Sequence, residues 1–265
     1  MNWKHPIGRV VQAAIRRFGY ELQAVSTPSR NYPADLDFGE GGGRFEEIWS
    51  RLPPTIRGVD IRLFTTYVAV RHIIRARIEG DLVECGVHQG KQVLMMAHTL
   101  TALGVTDREL CLYDTFTGMT EPGAKDYKDP DRPQASAAET WAKWNAGVWK
   151  GASIEEVQGN LRTCDYPQDR IRLVEGDVLQ TLPNTRHDQI ALLRLDTDFY
   201  ESTKHELDTL YKRVTTGGII IIDDYGRWGG SRAAVDEYFD DLGEAAPMLI
   251  RTGSTERVCV KAQLL

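Results

Sequence analysis

Two acidic clusters stand at the ends of neighbouring apolar runs in this sequence. Asp196 and Asp198 end the run IALLRLDTD, and Asp223 and Asp224 end the run GGIIIIDDY. Both runs are typical of buried strands, so we expect their carboxylates to emerge at one edge of a sheet. Like charges a few ångströms apart raise one another's pKa, and a bound divalent cation is the simplest way to relieve that repulsion.

The residue types in these clusters indicate which cation would bind. Carboxylate oxygens favour a hard ion, Mg²⁺ or else Ca²⁺ or Mn²⁺, and the absence of nearby Cys or His argues against zinc. We therefore interpret Asp196, Asp223 and Asp224 as metal ligands. The alternative is that these strand-end residues only cap the helices or turns that follow.

Asp198 is the first candidate for a general base. It lies two residues beyond Asp196, on the same side of the pleat if extended geometry continues. The alternative is a carboxylate that supports a ligand or starts a helix. His88, in the loop after the first strand, and His205, on a helix, are weaker candidates for the base.

Length, composition and charge exclude several classes of protein. The chain of 265 residues fits one large α/β domain with additions, and no apolar stretch approaches the ~20 residues of a membrane span. A net charge of -6 with dispersed basic residues gives no attraction to nucleic acid. We expect no membrane or nucleic-acid partner. Without a secretion signal or paired cysteine spacing, we expect a cytoplasmic protein with reduced thiols.

Short apolar strands alternate with amphipathic helices from Asp81 onward. The predicted strands are DLVEC, ELCLYD, IRLVEG, IALLRLD, GIIIIDD, PMLIRTG and RVCVKA, and the predicted helices span about Lys91–Leu103, Ser202–Val214 and Ser231–Leu242. Thr203 and Glu206 form a candidate capping box for the second of these helices. The alternation predicts an α/β fold with a mostly parallel, doubly wound sheet.

Two regions fall outside this alternation. Residues 1–80 are predicted to form an N-terminal helical extension and lid, with a flexible Pro/Gly-rich insert at 28–43 and a helical run at 60–78, and residues 81–265 are predicted to form the core. The segment 115–156 has no strand pattern, and a connection this long is usually functional, for example a lid. Its tryptophans either pack an inserted helix or face the substrate.

A ligand of an open parallel sheet lies beyond the carboxyl ends of its strands. Gly86 and Gly90, in VECGVHQGKQ, would let the backbone approach such a ligand. Glu84, Asp114 and Asp177 stand at or after the ends of the first three strands, and an acid after the second strand suits ribose hydroxyls. No phosphate-binding motif is present. The sequence thus favours a nucleoside-like cofactor such as S-adenosylmethionine.

The strings VECGVHQG, LYDTFTGM, VEGDVLQTLP, LLRLDTDFYESTKHEL and GGIIIIDDYGRWGGSRAAVDEYF resemble the macrocin O-methyltransferase family. The resemblance runs from about Asp81 to Phe239. It implies a Rossmann-like class I methyltransferase that uses S-adenosylmethionine and Mg²⁺ to methylate a deoxysugar hydroxyl of a glycosylated antibiotic precursor. It implies that Asp196, Asp223 and Asp224 hold the metal and that Asp198 lies close to the sugar hydroxyl. The residues assigned to the cofactor are Glu84, Gly86, Gly90, Asp114, Asp177 and Val178.

Other functions remain open at this stage. The acceptor could be another macrolide sugar or a catechol-like compound. LDTDFY also resembles the DxD pair of haloacid-dehalogenase phosphatases, although Tyr200 replaces the usual Thr or Val and the pair comes late in the chain. A non-catalytic sugar-binding or scaffold protein is the third interpretation. The family resemblance and the N-terminal helices suggest a homodimer, but a helix that packs on its own sheet explains the same pattern.

Overall fold

Short runs rich in Val, Ile and Leu form the strands at the centre of the fold. The computed structural model describes residues 44–57, 61–129, 132–146, 151–184 and 186–262, so the Pro/Gly-rich segment 28–43 lies outside the described residues. The strands are β1 (Asp81–Cys85), β2 (Leu110–Asp114), β3 (Tyr127–Asp129), β4 (Arg132–Ser136), β5 (Ile171–Glu175), β6 (Ile190–Leu195), β7 (Val214–Ile222), β8 (Ile250–Arg251) and β9 (Arg257–Val260). The helices are α1 (Arg44–Arg51), α2 (Pro54–Arg57), α3 (Ile61–Arg75), α4 (Lys91–Ala102), α5 (Ala137–Asn145), α6 (Ile154–Leu161), α7 (Val178–Thr181), α8 (Tyr200–Leu210) and α9 (Gly229–Leu242).

Seven strands form one sheet in the order β5-β2-β1-β6-β7-β9-β8. The first five strands in this order pair in parallel, and β9 is antiparallel to both β7 and β8. The chain order reverses between β1 and β6, where ligands of such sheets bind. The predicted mostly parallel, doubly wound sheet is confirmed.

The strand register brings the two acidic clusters together. Leu195 pairs with Cys85 on one side and with Ile222 on the other. The backbone N–H of Asp196 donates to Cys85 O at 2.8 Å, and that of Asp223 donates to Leu195 O at 2.9 Å. Adjacent strands lie about 4.8 Å apart, so Gly86, Asp196 and Asp223 stand side by side immediately beyond the paired residues.

Helix α8 begins two residues earlier than predicted and is capped differently. A carboxylate from a distant loop, Asp126 Oδ1, accepts a hydrogen bond from the backbone N–H of Tyr200 at 2.8 Å. Thr203 and Glu206 are buried inside the helix, so the predicted capping box is wrong. The sequence pattern missed this start because the cap comes from more than 70 residues away in the chain.

The insertion between β2 and α6 contains a small hairpin that the sequence pattern did not indicate. Strands β3 and β4 pair antiparallel, and their polar residues lack the alternation that predicts a strand. Helix α5 lies in this segment, as one of the two interpretations of its tryptophans supposes. Trp141 on α5 is half-buried and donates from Nε1 to Met119 O at 3.3 Å, which ties the helix to the start of the insertion.

The described N-terminal helices belong to the same compact unit as the sheet, which extends from Phe45 to Leu265. Helix α3 buries Leu63, Tyr67 and Val70 of the predicted face, whereas Ile74 is half-buried and Ile78 lies beyond the end of the helix. The role of residues 1–80 as an extension and lid stays a prediction. Within the described ranges, no helix has both the length and the apolar composition that crossing a bilayer requires.

Gly86 permits the close contact of β1 and β6 at the switch point. Its φ is +84°, and a Cβ at this position would lie 2.0 Å from the carbonyl oxygen of Asp196. Gly104, after α4, has a similar φ of +72° with nothing within 4 Å of such a Cβ. The two glycines share the backbone conformation and differ in the space around them.

We expect Gly86→Ala to lower the free energy of unfolding by more than about 3 kcal/mol. The added Cβ would push β1 away from β6 at Asp196, and this cost adds to that of the strained φ. Gly104→Ala is the matched control. It should lower the free energy of unfolding by only about 1–2 kcal/mol, which is the cost of placing alanine in the left-handed conformation. Urea denaturation of both variants measures the difference. Equal losses would show that the contact with Asp196 costs nothing.

Candidate active site

A cavity of about 360 Å³ opens at the carboxyl edge of the sheet, beside β1, β2, β6 and β7. Every residue that the sequence assigned to the site lines it, with one exception. The lining residues from that set are Glu84, Gly86, Asp114, Asp177, Val178, Asp196, Asp198, Asp223 and Asp224.

Gly90 is the residue that does not line the cavity. It is the N-cap of α4 with φ +82°, and a Cβ there would touch Val157 at 3.5 Å and Leu161 at 3.7 Å. Gly90 therefore lies where the start of α4 packs against α6. The loop after β1 therefore faces the cavity through Gly86, Val87 and His88.

Asp114 holds the loop after β1 in place. Its Oδ2 accepts hydrogen bonds from the backbone N–H groups of Val87 at 2.6 Å and His88 at 2.9 Å, and its Oδ1 accepts from Phe116 N–H at 2.8 Å. His88 has a positive φ of 48°, so this carboxylate stabilises a strained turn. Much of the hydrogen-bonding capacity that we expected to serve a ribose thus serves the protein backbone.

Asp177 also makes a backbone contact at the edge of the cavity. It is the N-cap of α7, and its Oδ1 accepts from Leu179 N–H at 2.9 Å. Val178, the first residue of α7, is buried and adds apolar surface to the same wall.

Three carboxylates converge on one point of the cavity. Asp196, Asp223 and Asp224 each offer an oxygen, and these oxygens lie within 4.8 Å of one another. Asp223 and Asp224 are buried and Asp196 is half-buried. Asp224 Oδ2 is buried without a hydrogen-bond partner, an arrangement that is costly unless a cation or a proton satisfies the oxygen. This all-oxygen donor set fits a hard divalent ion such as Mg²⁺.

Arg194 supplies positive charge beneath these carboxylates. It is only 1% exposed, and its guanidinium donates to Glu84 Oε1 at 2.9 Å, to Asp196 Oδ2 at 2.6 Å and to Asp223 Oδ1. Glu84, assigned to the cofactor by sequence, is therefore an ion-pair partner of Arg194 and its register neighbour across β1 and β6. Sequence reasoning missed Arg194, although a charged residue inside the apolar run IALLRLD was the signal.

A second arginine reaches the same cluster from α3. Arg62 Nη1 donates to Asp223 Oδ2 at 2.6 Å, and the Arg62 side chain is 31% exposed. The helical periodicity of α3 gave no reason to place Arg62 in the site, because the contact spans 161 residues of sequence. Arg227 and Trp228, which follow Asp224 in the chain, also line the cavity and were not predicted.

Burial and mutual repulsion raise the pKa of several carboxyl groups here. Loss of solvent raises the pKa of Glu84 to about 8, although Arg194 opposes the shift. The pKa of Asp223 rises to about 6, first through burial and then through the charge of Asp196. The pKa of Asp224 is well above its ordinary value, because burial adds to repulsion from Asp198, Asp196 and Asp223. Protons thus occupy part of the cluster near neutral pH when no cation is bound.

Asp198 lies on the cavity wall, but the backbone that places it there is not the extended strand that the sequence predicts. Strand β6 ends at Leu195, and Asp198 has a left-handed φ of +68°, so extended geometry does not continue to it. Desolvation and the charge of Asp196 raise its pKa to about 7, and Arg227 opposes the shift. A carboxyl group with a pKa near neutrality has the acidity that general-base catalysis requires.

The two histidines considered as bases differ in position. His88 is exposed and lines the cavity. His205 lies on α8 with a buried Nε2 that lacks a hydrogen-bond partner, and it does not line the cavity. Only His88 remains an alternative to Asp198.

The cavity also fits S-adenosylmethionine by its chemistry. Gly86 exposes backbone at the switch point, Val178 and Tyr113 add apolar surface, and the carboxylates of Asp114 and Asp177 line the same space. An acid-rich pocket with these parts suits a nucleoside and a sulfonium cation.

Comparison with known proteins agrees with this geometry. The family model described as Macrocin-O-methyltransferase (TylF) matches residues 43–251. Demethyldecarbamoylnovobiocin O-methyltransferase of Streptomyces niveus is 35% identical over 190 residues, which cover 72% of this chain and 69% of that protein. The 8-demethyl-8-(2,3-dimethoxy-alpha-L-rhamnosyl)-tetracenomycin-C 4'-O-methyltransferase of Streptomyces olivaceus is 32% identical over 200 residues, covering 76% and 73% of the two chains.

A solved structure shares the fold. The O-methyltransferase NovP superposes with a TM-score of 0.67 at 31% identity, covering 77% of this chain and 80% of that chain. The family match decides against the phosphatase and non-catalytic interpretations of the acidic clusters. With its Rossmann-like sheet and its carboxylate-lined cavity, this chain belongs to the macrocin O-methyltransferase family and is an O-methyltransferase.

Proposed function

We propose that this enzyme methylates a deoxysugar hydroxyl of a glycosylated antibiotic precursor and that it requires Mg²⁺. The observation that carries the proposal is the convergence of the Asp196, Asp223 and Asp224 oxygens within 4.8 Å in the cavity of an O-methyltransferase. Both relatives are named for methylation of glycosylated antibiotic compounds. The 4-hydroxyl of noviose in a novobiocin-type precursor is the acceptor that we expect first, since the novobiocin-related enzyme is the more similar of the two.

The residues of the cavity divide into three roles. S-adenosylmethionine supplies the methyl group, and Gly86, Asp114, Asp177 and Val178 are the residues that we expect to hold it. Asp196, Asp223 and Asp224 would hold Mg²⁺, which would supply Lewis-acid chemistry that makes a hydroxyl more acidic. Asp198 then accepts the hydroxyl proton.

The protein contributes orientation and charge to this reaction. Arg194 fixes the rotamers of Asp196 and Asp223 through its hydrogen bonds, which limits the loss of entropy when an acceptor binds. Asp198, with a pKa of about 7, can take a proton near neutral pH and release it to solvent after each turnover. A homodimer in the cytoplasm stays a prediction from the sequence.

We expect methyl transfer to a panel of glycosylated aminocoumarins, macrolides and catechols to be strongest on the noviose 4-hydroxyl and to stop in EDTA. Asp196→Asn and Asp224→Asn should reduce kcat/KM by at least about 100-fold, because a charge that holds the ion is lost. Asp208→Asn, at an exposed position on α8, is the control. Mass spectrometry of the products and Mg²⁺ calorimetry check both statements. Undiminished transfer after metal removal would contradict the metal role.

Asp198→Asn tests whether Asp198 acts as the general base or as a metal ligand. We expect kcat to fall by about 10²–10⁴-fold, the usual contribution of general-base catalysis, while Mg²⁺ affinity stays within a few-fold of wild type. A large loss of Mg²⁺ affinity in this variant would make Asp198 a ligand instead. Single-turnover kinetics beside Mg²⁺ titration gives both values.

The free energy of unfolding should fall with rising pH when no metal is present. The pKa values of Glu84 (about 8), Asp198 (about 7) and Asp223 (about 6) lie above their ordinary values of 4.5, 3.8 and 3.8. Between the ordinary and the raised values the folded protein binds more protons than the unfolded chain, so raising the pH favours unfolding. From pH 5 to pH 8.5 in EDTA we expect a loss on the order of a few kcal/mol by urea denaturation.

Saturating Mg²⁺ should remove the part of this pH dependence that comes from the proposed ligands, because the ion stabilises their ionised form and is bound more tightly when protons leave. Constant or increasing stability from pH 5 to pH 8.5 in EDTA would show that these groups are not protonated in the folded state.

A further inference from the structure

Asp223 differs from the other two proposed ligands because both of its oxygens already accept hydrogen bonds from arginines. Arg194 donates to Oδ1 and Arg62 donates to Oδ2 at 2.6 Å. Asp224, by contrast, has a buried oxygen without a partner. A cation bound at this point gains an unoccupied oxygen from Asp224 but must share Asp223 with two guanidinium groups.

The two arginines are held to very different degrees. Arg194 is 1% exposed in the central strand β6 and also donates to Glu84 and Asp196. Removing it from the cluster would leave Glu84 buried without a cationic partner and would take one hydrogen bond from each of Asp196 and Asp223. Arg62 is 31% exposed, is the second residue of α3 and lines the cavity. Arg62 is therefore the guanidinium that can leave Asp223 without opening the core.

A divalent ion held by Asp223 would share that carboxylate with the Arg62 guanidinium, and positive groups that share one carboxylate repel each other where water is scarce. We propose that Arg62 is a displaceable counter-ion: it neutralises Asp223 in the metal-free enzyme, and metal binding releases it from Asp223 Oδ2. This inference rests on the metal site of the proposed function.

The release would couple the metal site to the N-terminal helices. Arg62 belongs to α3, which packs through buried residues that include Leu63, Tyr67 and Val70. In the metal-free enzyme the ion pair with Asp223 attaches the beginning of α3 to the carboxyl edge of the sheet, and in the metal-bound enzyme that attachment is absent. After its release from Asp223, the Arg62 side chain remains on the wall of the cavity where the acceptor is expected.

Mg²⁺ calorimetry on the full chain tests the proposal with Arg62→Gln and a matched control, Arg227→Gln. Arg227 lines the same cavity and carries the same charge, but its influence falls on Asp198. We expect Arg62→Gln to bind Mg²⁺ about tenfold more tightly than wild type, which corresponds to about 1.4 kcal/mol. Arg227→Gln should change the affinity by less than about threefold, by screening of an exposed charge.

Thermal unfolding gives an independent readout. Arg62→Gln should lower the Tm in EDTA, because Asp223 loses a partner, and should leave the Tm in saturating Mg²⁺ close to that of wild type. If Arg62→Gln does not fold, Arg62→Lys keeps the charge but loses the guanidinium fork, and it should bind Mg²⁺ about two- to threefold more tightly than wild type because a single ammonium pairs less strongly than a fork.

The outcomes separate this proposal from the proposed function. If the wild-type enzyme binds no Mg²⁺, the metal site itself is wrong. If the wild type binds Mg²⁺ but Arg62→Gln binds it equally or less tightly, Arg62 is not displaced and the counter-ion proposal is overturned. The proposal is also overturned if Arg227→Gln tightens binding as much as Arg62→Gln, since the general positive potential of the cavity would then explain both.

Discussion

The structure depends on one buried guanidinium. Arg194 lies in the central strand and holds carboxylates from β1, from the end of β6 and from the end of β7. Without it, Glu84 would be a buried carboxyl group with no cationic partner, and Asp196 and Asp223 would each lose a hydrogen bond, so the strand ends that carry them would be destabilised. The same cation keeps two proposed ligands in fixed rotamers. Stability and preorganisation of the site therefore have a common source.

The sheet and the location of the site were predictable because their signals are local. Five apolar runs with strand length, each ending in or followed directly by an acid or glycine, predict parallel strands whose carboxyl ends meet, and the structure has this arrangement. The pairing of Glu84 with Arg194 was not predictable without the register, since a shift of one residue would turn either side chain to the opposite face. Arg62 was missed because the periodicity indicated the face of Leu63, Tyr67 and Val70, whereas Arg62 shares the neighbouring face with Thr66 and Ala69, which is also buried.

Asp114 and Asp198 show a second limit of sequence reasoning. Residue type and strand position placed both in the cavity, but their roles depend on backbone conformation. The positive φ of His88 turns backbone N–H groups toward Asp114, and the positive φ of Asp198 replaces the extended geometry that the sequence predicts. Such conformations arise from contacts across the fold, so a single sequence does not reveal them.

The cap of α8 has a consequence for the evolution of acceptor choice. Asp126 belongs to the insertion, yet it fixes the first turn of the helix that follows Asp196, Thr197 and Asp198, and Gly230 leaves the room for its carboxylate. The position of the insertion is therefore coupled to the position of the reacting carboxylates through the start of α8. Exchanging the insertion between family members would therefore transfer a new acceptor surface only if the aspartate at this position and the glycine opposite it are both retained. Without this pair, the exchange would move the reacting carboxylates whose acceptor it is meant to change.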